Sequence, residues 1–296
     1  MGTKCHVNSG MDIPAVLAAF DTQLRRDLRS SLAGGRIERV GPVVRCVGAT
    51  ADDWSGVDWA DVDESSADEV IAAQVRYFTG LGRRFEWKYY RHDRPGDLPD
   101  RLRRAGFMPD PEEALMVADI ADIPTPLSPP QGVRLVTVTD LDGVASLVRV
   151  HEEAFGEDFS AYGTTMRSQL GTGATIPVLA MAGDVPVCGA RIDFHQGTEF
   201  ASLWGGGTLE SWRGKGIYSS MVAYRARLAA ERGYRYLRVD ALPTSAPILT
   251  RLGFVQLSTT VPYVFTPPTS STRSATAAPS DTRPTSRTLS ISDGGA

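Results

Sequence analysis

The sequence predicts an α/β (α+β) layer fold built from two related units, and three observations carry that expectation. Strand and helix periodicities alternate through residues 131–266. An apolar strand hands over to an amphipathic helix at the glycine turn Arg213-Gly214-Lys215-Gly216-Ile217-Tyr218. Two segments of the first half recur in the second at a nearly constant offset. Strands and helices mixed in this way imply a sheet covered by helices.

Taken in order, Val133, Leu135 and Val136 open a strand, and Leu141, Val144, Leu147 and Val148 mark a helix ending near Phe155-Gly156. A second helix is expected over 159–170. Ile176 to Met181 and Val187 to Phe194 read as a hairpin around Gly183-Asp184, with Glu199 to Trp204 as the next strand. After the glycine turn, Ile217, Met221, Tyr224 and Leu228 recur at helical spacing as far as Gly233. Tyr234 to Val239 is a strand, Ser245 to Leu252 a short helix stopped by Gly253, and Val255 to Phe265 supplies the last strands. In the first half, Phe85-Glu86-Trp87-Lys88-Tyr89 resembles Tyr234 to Arg238, and Leu102 to Phe107 resembles Leu249 to Phe254. Phe107 and Phe254 stand 147 positions apart (254 − 107), Trp87 and Tyr236 149 (236 − 87).

Composition narrows the classes. The 296 residues are 42% hydrophobic, enough for two cores, and the formal charge of −4 with scattered cations does not mark a nucleic-acid surface. No run of about 18 apolar residues exists, which argues against a membrane span. Met1-Gly2-Thr3-Lys4-Cys5 lacks a signal-peptide core, and His6 stands where myristoylation needs a hydroxyl, so the cytoplasm is the expected compartment. Cys5, Cys46 and Cys188 do not read as a disulfide scaffold, and His6, His92, His151 and His195 lack paired spacing, so no metal site is expected. The cluster Pro124, Pro126, Pro129 and Pro130 reads as a linker, and residues 267–296, rich in Ser, Thr, Pro and Ala, read as a disordered tail.

The turn at 213–218 reads as a phosphate cradle. A helix start leaves N–H groups without partners and carries partial positive charge; glycines let an anion approach, and Arg213 and Lys215 add charge beside it. A Walker loop fails, with Leu209 at its first glycine and Gly216 at its hydroxyl; a dinucleotide fingerprint fails at Ser219.

The turn resembles the acyl-coenzyme A signature of the GNAT superfamily of N-acetyltransferases, Arg/Gln-x-x-Gly-x-Gly/Ala, matched by Arg213 and Gly216, with Tyr218 departing from the pattern. Thr208-Leu209-Glu210 stands where that family has a splayed strand end, and Leu249 to Phe254 where it has a second motif; the resemblance covers about residues 133–265. It implies tandem acetyltransferase-like domains, each a curved mixed sheet flanked by helices. A degenerate domain would occupy 1–123, the linker 124–130 and an acetyl-CoA-binding domain 131–266. The first copy carries Asp61, Asp63, Glu64 and a capping-box pattern, Ser66-Ala67-Asp68-Glu69, before its long helix, so coenzyme binding is expected only in the second half.

The activity the resemblance implies is transfer of an acetyl group from acetyl-CoA, a co-substrate, to an amine by direct attack; the alternative is a catalytically silent CoA-binding regulatory module. The resemblance gives the N–H groups of Thr208 and Leu209 to the acetyl and pantetheine part, and Arg213, Gly214, Lys215, Gly216, Ile217 and Tyr218 to the pyrophosphate. Glu199 and Glu210 are candidate bases, with Glu199 preferred. The family's tyrosine acid falls at Leu249, leaving Ser245 and Tyr263 as substitutes; a thiol of pKa about 8.5 is a fair leaving group unaided. Glu152, Glu153, Glu157 and Asp158 would favour a cationic acceptor. His151 reads as a surface histidine and Trp212 as a turn aromatic. The expected partners are a small-molecule or peptide amine and a second copy of the chain, with neither nucleic acid nor membrane.

Overall fold

The computed structural model describes residues 10–29, 34–51, 53–124 and 127–268. Asp12 opens the first helix, accepting from the Ala15 N–H at 3.1 Å. Helix α1 (Ile13–Phe20) runs without a break into a π-helical turn, Asp21–Arg26. Then come β1 (Arg36–Val40), β2 (Val43–Val47), β3 (Gly56–Ala60), α2 (Ala67–Gly80), β4 (Phe85–Tyr90), α3 (Leu98–Arg104), β5 (Met108–Pro109) and β6 (Glu113–Asp119). The second half gives β7 (Val133–Thr137), α4 (Leu141–Phe155), α5 (Ser160–Gln169), β8 (Thr175–Ala182), β9 (Val185–Phe194) and β10 (Phe200–Thr208). It ends with α6 (Ile217–Ala230), β11 (Tyr236–Ala241), α7 (Ala246–Arg251) and β12 (Val255–Phe265).

The strands form one mixed sheet in the order β1-β2-β3-β4-β12-β6-β11-β10-β9-β8-β7, with β5 beside β12. Strands from the two halves interleave at its centre. The last strand of the chain, β12, pairs with β4, β5 and β6, and β6 pairs with β11. Alternation along each strand sorts the side chains onto two faces. On one, Val57, Phe85 and Trp87 pack under α2 and α3, while Ile192, Leu203, Leu237 and Val239 pack under α6 and α7. On the other, Phe20 of α1 meets Tyr90, Leu115, Phe200 and Tyr236, and α4 and α5 cover Leu179.

The sheet has two parallel junctions, and both are short. Strands β3 and β4 pair at Gly56–Glu86 and Val57–Trp87. Strands β10 and β11 pair from Phe200–Tyr236 to Ser202–Arg238 and then part. Beyond that point β11 continues along β6 to Ala241, while β10 follows β9 to Thr208 through a bulge between Trp204 and Gly207.

Two expectations need correction. The strand expected to stop at Trp204 runs on to Thr208 through Gly205, Gly206 and Gly207, which read as a turn in the sequence. Helix α4 presses on this stretch: a Cβ at Gly207 would lie 2.8 Å from the Phe155 ring, so small residues here serve close packing. The capping box at Ser66 also does not form, because the Ser66 side chain makes no cap bond to α2. Asp63 does the work instead, its Oδ1 accepting from the N–H groups of Ser65 and Ser66 at 3.0 and 2.9 Å. The Ser65 and Ser66 hydroxyls also donate to it at 2.8 Å, and these bonds, ahead of the backbone ones, hold its carboxyl down at about 2. Pro124 lies among the described residues while 125 and 126 do not, and the tail expected to be disordered falls, from residue 269 onward, outside them.

Candidate functional site

Past Thr208 the chain makes a 3₁₀ turn, Glu210–Trp212, and enters α6 with Gly216 as N-cap. Gly214 and Gly216 have φ of 71° and 81°, where a side chain is strained, and nothing lies within 4 Å of a Cβ built on either. No side chain caps α6, and Gly214, Lys215 and Gly216 are exposed, so the positive end of the helix dipole faces outward. Arg213 ties the turn down: its Nε donates to the Thr208 carbonyl at 3.1 Å and its Nη2 to the Ala154 carbonyl, at the end of α4, at 3.3 Å. The Lys215 ammonium lies 4.6 Å from the centre of the Trp212 ring.

The bulged strand behind the turn is braced by α4. His151, expected at the surface, is fully buried, its Nε2–H donating to the Gly205 carbonyl at 2.7 Å, and its ring stacks on Phe155 and Phe159. Burial pulls the imidazole down to about 4, so it is neutral at pH 7. On the opposite side Arg225 of α6 reaches the sheet and donates Nη1 to the carbonyls of Arg191 and Trp204 at 3.0 and 3.3 Å.

Where β10 and β11 part, the face shared by α1, α4 and α5 is strongly polar. The Trp204 ring lies between two guanidinium groups, Arg191 at 5.4 Å and Arg238 at 5.0 Å. Arg238 pairs with Asp240 at 2.9 Å; Lys88, from the first half of the chain, pairs with Asp240 at 3.2 Å and with Glu113 at 3.1 Å. Burial opposes the Lys88 charge, but Asp240, Glu113 and Glu86 outweigh it and hold its pKa well above the ordinary lysine value. Burial likewise opposes ionisation of Asp240, and Arg238 and Lys88 reverse the balance and lower it. Glu86 accepts from the Trp54 indole at 3.0 Å, yet burial raises its pKa. Asp58, on β3, is pushed up to about 7 by burial and then by Glu86. Four sealed atoms here have no hydrogen-bond partner: Asp58 Oδ2, Asp240 Oδ1, Arg238 Nε and Trp204 Nε1.

The structure brings Thr208, Leu209, Glu210 and residues 213–218 together around the turn but keeps the other expected residues apart. Glu199 stands before the first residue of β10, roughly 30 Å along the strand from Thr208 at about 3.3 Å per residue. It is held there by Gln23, whose Nε2 donates to its carboxylate at 2.9 Å, and by Arg235 at 3.8 Å. Ser245 is sealed, its hydroxyl donating to the Leu242 carbonyl at 3.2 Å rather than capping α7. Tyr263 lies in β12 opposite Trp87. Leu209 donates its N–H to the Val187 carbonyl at 3.0 Å. Tyr218 turns into the core with Val222 and Leu249. Of the acidic cluster, Asp158 holds the Ser160 N–H at 2.8 Å and Glu152 the Phe159 N–H at 3.4 Å, so both brace the α4–α5 corner.

The sequence reading does not single out Asp58, Glu86, Lys88, Trp204, Arg238 or Asp240. A signal was present in the pairs Glu86/Lys88 and Arg238/Asp240, opposite charges two apart on strands otherwise aromatic or aliphatic. On a central strand such a pair marks a polar interior rather than a solvated face. Among the described residues no group of His, Cys, Asp and Glu could hold a metal ion, and no helix is long and apolar enough to cross a membrane.

No family model matches the sequence, and no curated protein matches it. Solved structures do match. A GCN5-related N-acetyltransferase from Kribbella flavida superposes with a TM-score of 0.65 at 20% identity, over 86% of this chain and 96% of that one. Another from Sphaerobacter thermophilus gives 0.55 at 13% identity over 76% of each chain. A tandem GNAT protein from the clavulanic acid biosynthesis pathway gives 0.52 at 13% identity over 82% of each. Over most of its length, then, the chain has the fold of the GCN5-related N-acetyltransferases, a mixed sheet flanked by helices.

Proposed function

We propose that this protein is a tandem GNAT-type N-acetyltransferase that moves an acetyl group from acetyl-CoA to an amine by direct attack, with the coenzyme held by its second half. The observation that carries the reading is the outward-facing, uncapped start of α6, set behind the point where β10 and β11 part. When bound, acetyl-CoA supplies an activated thioester. The backbone at 216–218 with the Lys215 ammonium would hold the pyrophosphate, and Gly214 and Gly216 let it lie against the chain. Arg213 spends two of its donors on Thr208 and Ala154, so its role is to fix the turn and add charge beside it. Leu209 directs its N–H to β9; Thr208, one residue back, directs its own to the opposite edge, toward the split, and would contact the pantetheine arm and acetyl group. Start of α2, by contrast, already has the Asp63 carboxylate beside it, which supports a single coenzyme site.

Glu210, exposed beside the turn, is the remaining candidate to receive the amine proton. No step passes through Glu199 or Ser245, held as they are by Gln23 and the Leu242 carbonyl. Titration calorimetry with acetyl-CoA tests the coenzyme site: we expect binding, weakened about 3- to 10-fold in Lys215→Ala. A flat titration of the parent protein sinks the proposal.

A catalytically silent CoA-binding module is the second reading, favoured by the buried Leu249 at the position of the family's tyrosine acid. Release of coenzyme thiol in the presence of amines separates the two. Binding of acetyl-CoA without release across a broad amine panel selects the silent module.

A further inference from the structure

Beyond β6, away from the glycine turn, lies a polar arrangement that the proposed transfer does not use. It sits where β4 ends and β12 carries a bulge. Strand β12 pairs Gln256 with Met116 and Ser258 with Leu115, so Leu257 is the extra residue. A bulge of this kind re-aims the side chains beside it. Leu257 packs toward the core of Phe20 and Leu115, and Ser258 meets His92, two residues past the end of β4.

Three side chains are hydrogen-bonded in series there. His92 Nδ1 lies 2.8 Å from Ser258 Oγ, and His92 Nε2 lies 2.9 Å from Asp21 Oδ2. Burial opposes ionisation of Asp21, but the hydrogen bond from His92 and the charge of Arg25 outweigh it and lower its pKa. A carboxylate only accepts, so in the neutral imidazole the proton sits on Nε2, and the Nδ1 lone pair accepts the Ser258 hydroxyl proton. The Thr259 carbonyl, which competes for that proton, is farther from Ser258 Oγ, at 3.4 Å. Asp21 is itself fixed. It opens the π-helical turn, and Arg25, held from behind by Asp93 and the Asp58 carbonyl, donates to its Oδ1 at 2.7 Å. Arg25 answers part of its charge, so Asp21 acts chiefly by orienting the ring and fixing the tautomer.

Ser258 and His92 stand in the wall of a cavity of about 540 Å³, with Arg91, Gln256, Leu257 and Thr259 as the other lining residues. Asp21 is not part of that wall and is 18% exposed against 26% for His92, which places serine and histidine in front and aspartate behind. Arg91 is 73% exposed and paired only loosely with Glu112, at 3.7 Å. It brings a cation to the wall where negative charge would develop on a reacting carbonyl oxygen.

We propose that Ser258, His92 and Asp21 form a second catalytic centre, a serine hydrolase site for small acyl esters and thioesters. Ser258 Oγ attacks the acyl carbonyl, its proton passes to His92 Nδ1, and Arg91 faces the oxyanion. The bond to the departing alcohol or thiol then breaks as His92 returns the proton to it, leaving an acyl ester on Ser258. Water, giving a proton to His92, attacks that ester, releases the carboxylic acid and restores the hydroxyl. Asp21 and His92 come from the first half of the chain and Ser258 from its last strand. This hydrolysis goes beyond the transfer proposed above and does not depend on it.

The test uses the full chain without coenzyme. Phenylmethylsulfonyl fluoride should place one sulfonyl group per chain, found by peptide mass mapping at Ser258: the Oγ–S bond forms, the S–F bond breaks, and fluoride leaves. Hydrolysis of p-nitrophenyl acetate should disappear in step with that labelling, and Ser258→Ala should remove both. His92→Gln keeps polar groups toward Asp21 and Ser258 but takes up no proton, and should slow sulfonylation by about 100-fold or more. Asp21→Asn should lower kcat for the ester by about tenfold or more with KM unchanged, a split that a merely structural role would not give. Ser258→Ala, the smallest change, decides the case where either of the other variants fails to fold by circular dichroism. The proposal is overturned if Ser258 takes up no sulfonyl group, if Ser258→Ala hydrolyses the ester as fast as the parent, or if folded His92→Gln reacts at the parent's rate. A flat titration with acetyl-CoA leaves this site standing, and an unreactive Ser258 leaves the transfer reading standing.

Discussion

Two titrating side chains make opposite demands on pH. The Asp58 carboxyl titrates near 3.8 in the unfolded chain and at about 7 in the folded one, so between those values the folded state holds the extra proton. Its contribution is full below pH 4 and is lost as pH rises through 7. Asp58→Asn removes that loss, and urea denaturation should show its stability advantage over the parent growing by about 2 to 3 kcal/mol from pH 5 to pH 8. His151 runs the other way: about 4 folded against 6.5 unfolded, its contribution is full above pH 6.5 and is lost as pH falls through 4. His151→Gln keeps a donor toward the Gly205 carbonyl without titrating, and should flatten the acid limb between pH 6.5 and 4 by up to about 3 kcal/mol. His151 was legible as core in one respect, since it falls four residues after Leu147 and four before Phe155 on the helix. Residue type pointed to the surface, and position on the stripe decided. Glu199 shows the converse limit. The start of its strand was placed within one residue, but nothing local records which end of a strand faces the split.

Most elements were legible because each carries its own signal: the helical stripes of α4 and α6, the β8–β9 turn at Gly183, the Gly253 stop after α7. The strand β10 was cut short because Gly205-Gly206-Gly207 carry a turn signal that tertiary packing overrides. His151 and Phe155 stack with ring centres 5.6 Å apart, and their atoms would stand 3.2 Å or less from a Cβ at Gly207. Neither ring can give way without displacing the other, so Gly207→Ala should cost about 1 to 3 kcal/mol through overpacking. Gly214→Ala, in open space, should cost about 1 kcal/mol from its positive φ alone. Chemical denaturation of the two variants ranks them; equal costs would mean that α4 does not press on the strand.

At the scale of the whole molecule, the 147- and 149-residue offsets are the sequence's argument for two related units, but pairing across halves has no period to read. Strand β12 sits between β4 and β6, and β6 between β12 and β11. Residues 131–266 produced alone would leave β11 without β6 and β12 without either partner. Residues 1–123 alone would leave a gap between β4 and β6. Each fragment should therefore lack the near-ultraviolet dichroism of a packed core, and mixing or co-expressing them should restore it; a folded 131–266 fragment on its own would contradict this.

The interleaved strands also bear on synthesis at the ribosome. The chain emerges from its N-terminus, and β4, already able to pair with β3, cannot acquire its second neighbour β12 until Phe265 has cleared the exit tunnel. Until then the apolar side chains of Phe85, Trp87 and Phe107, which pack together with Tyr263 of β12, await part of their cover. A nascent chain in this state is a natural client for a chaperone, and premature termination before residue 255 would deliver a product fit for proteolysis rather than half a folded protein.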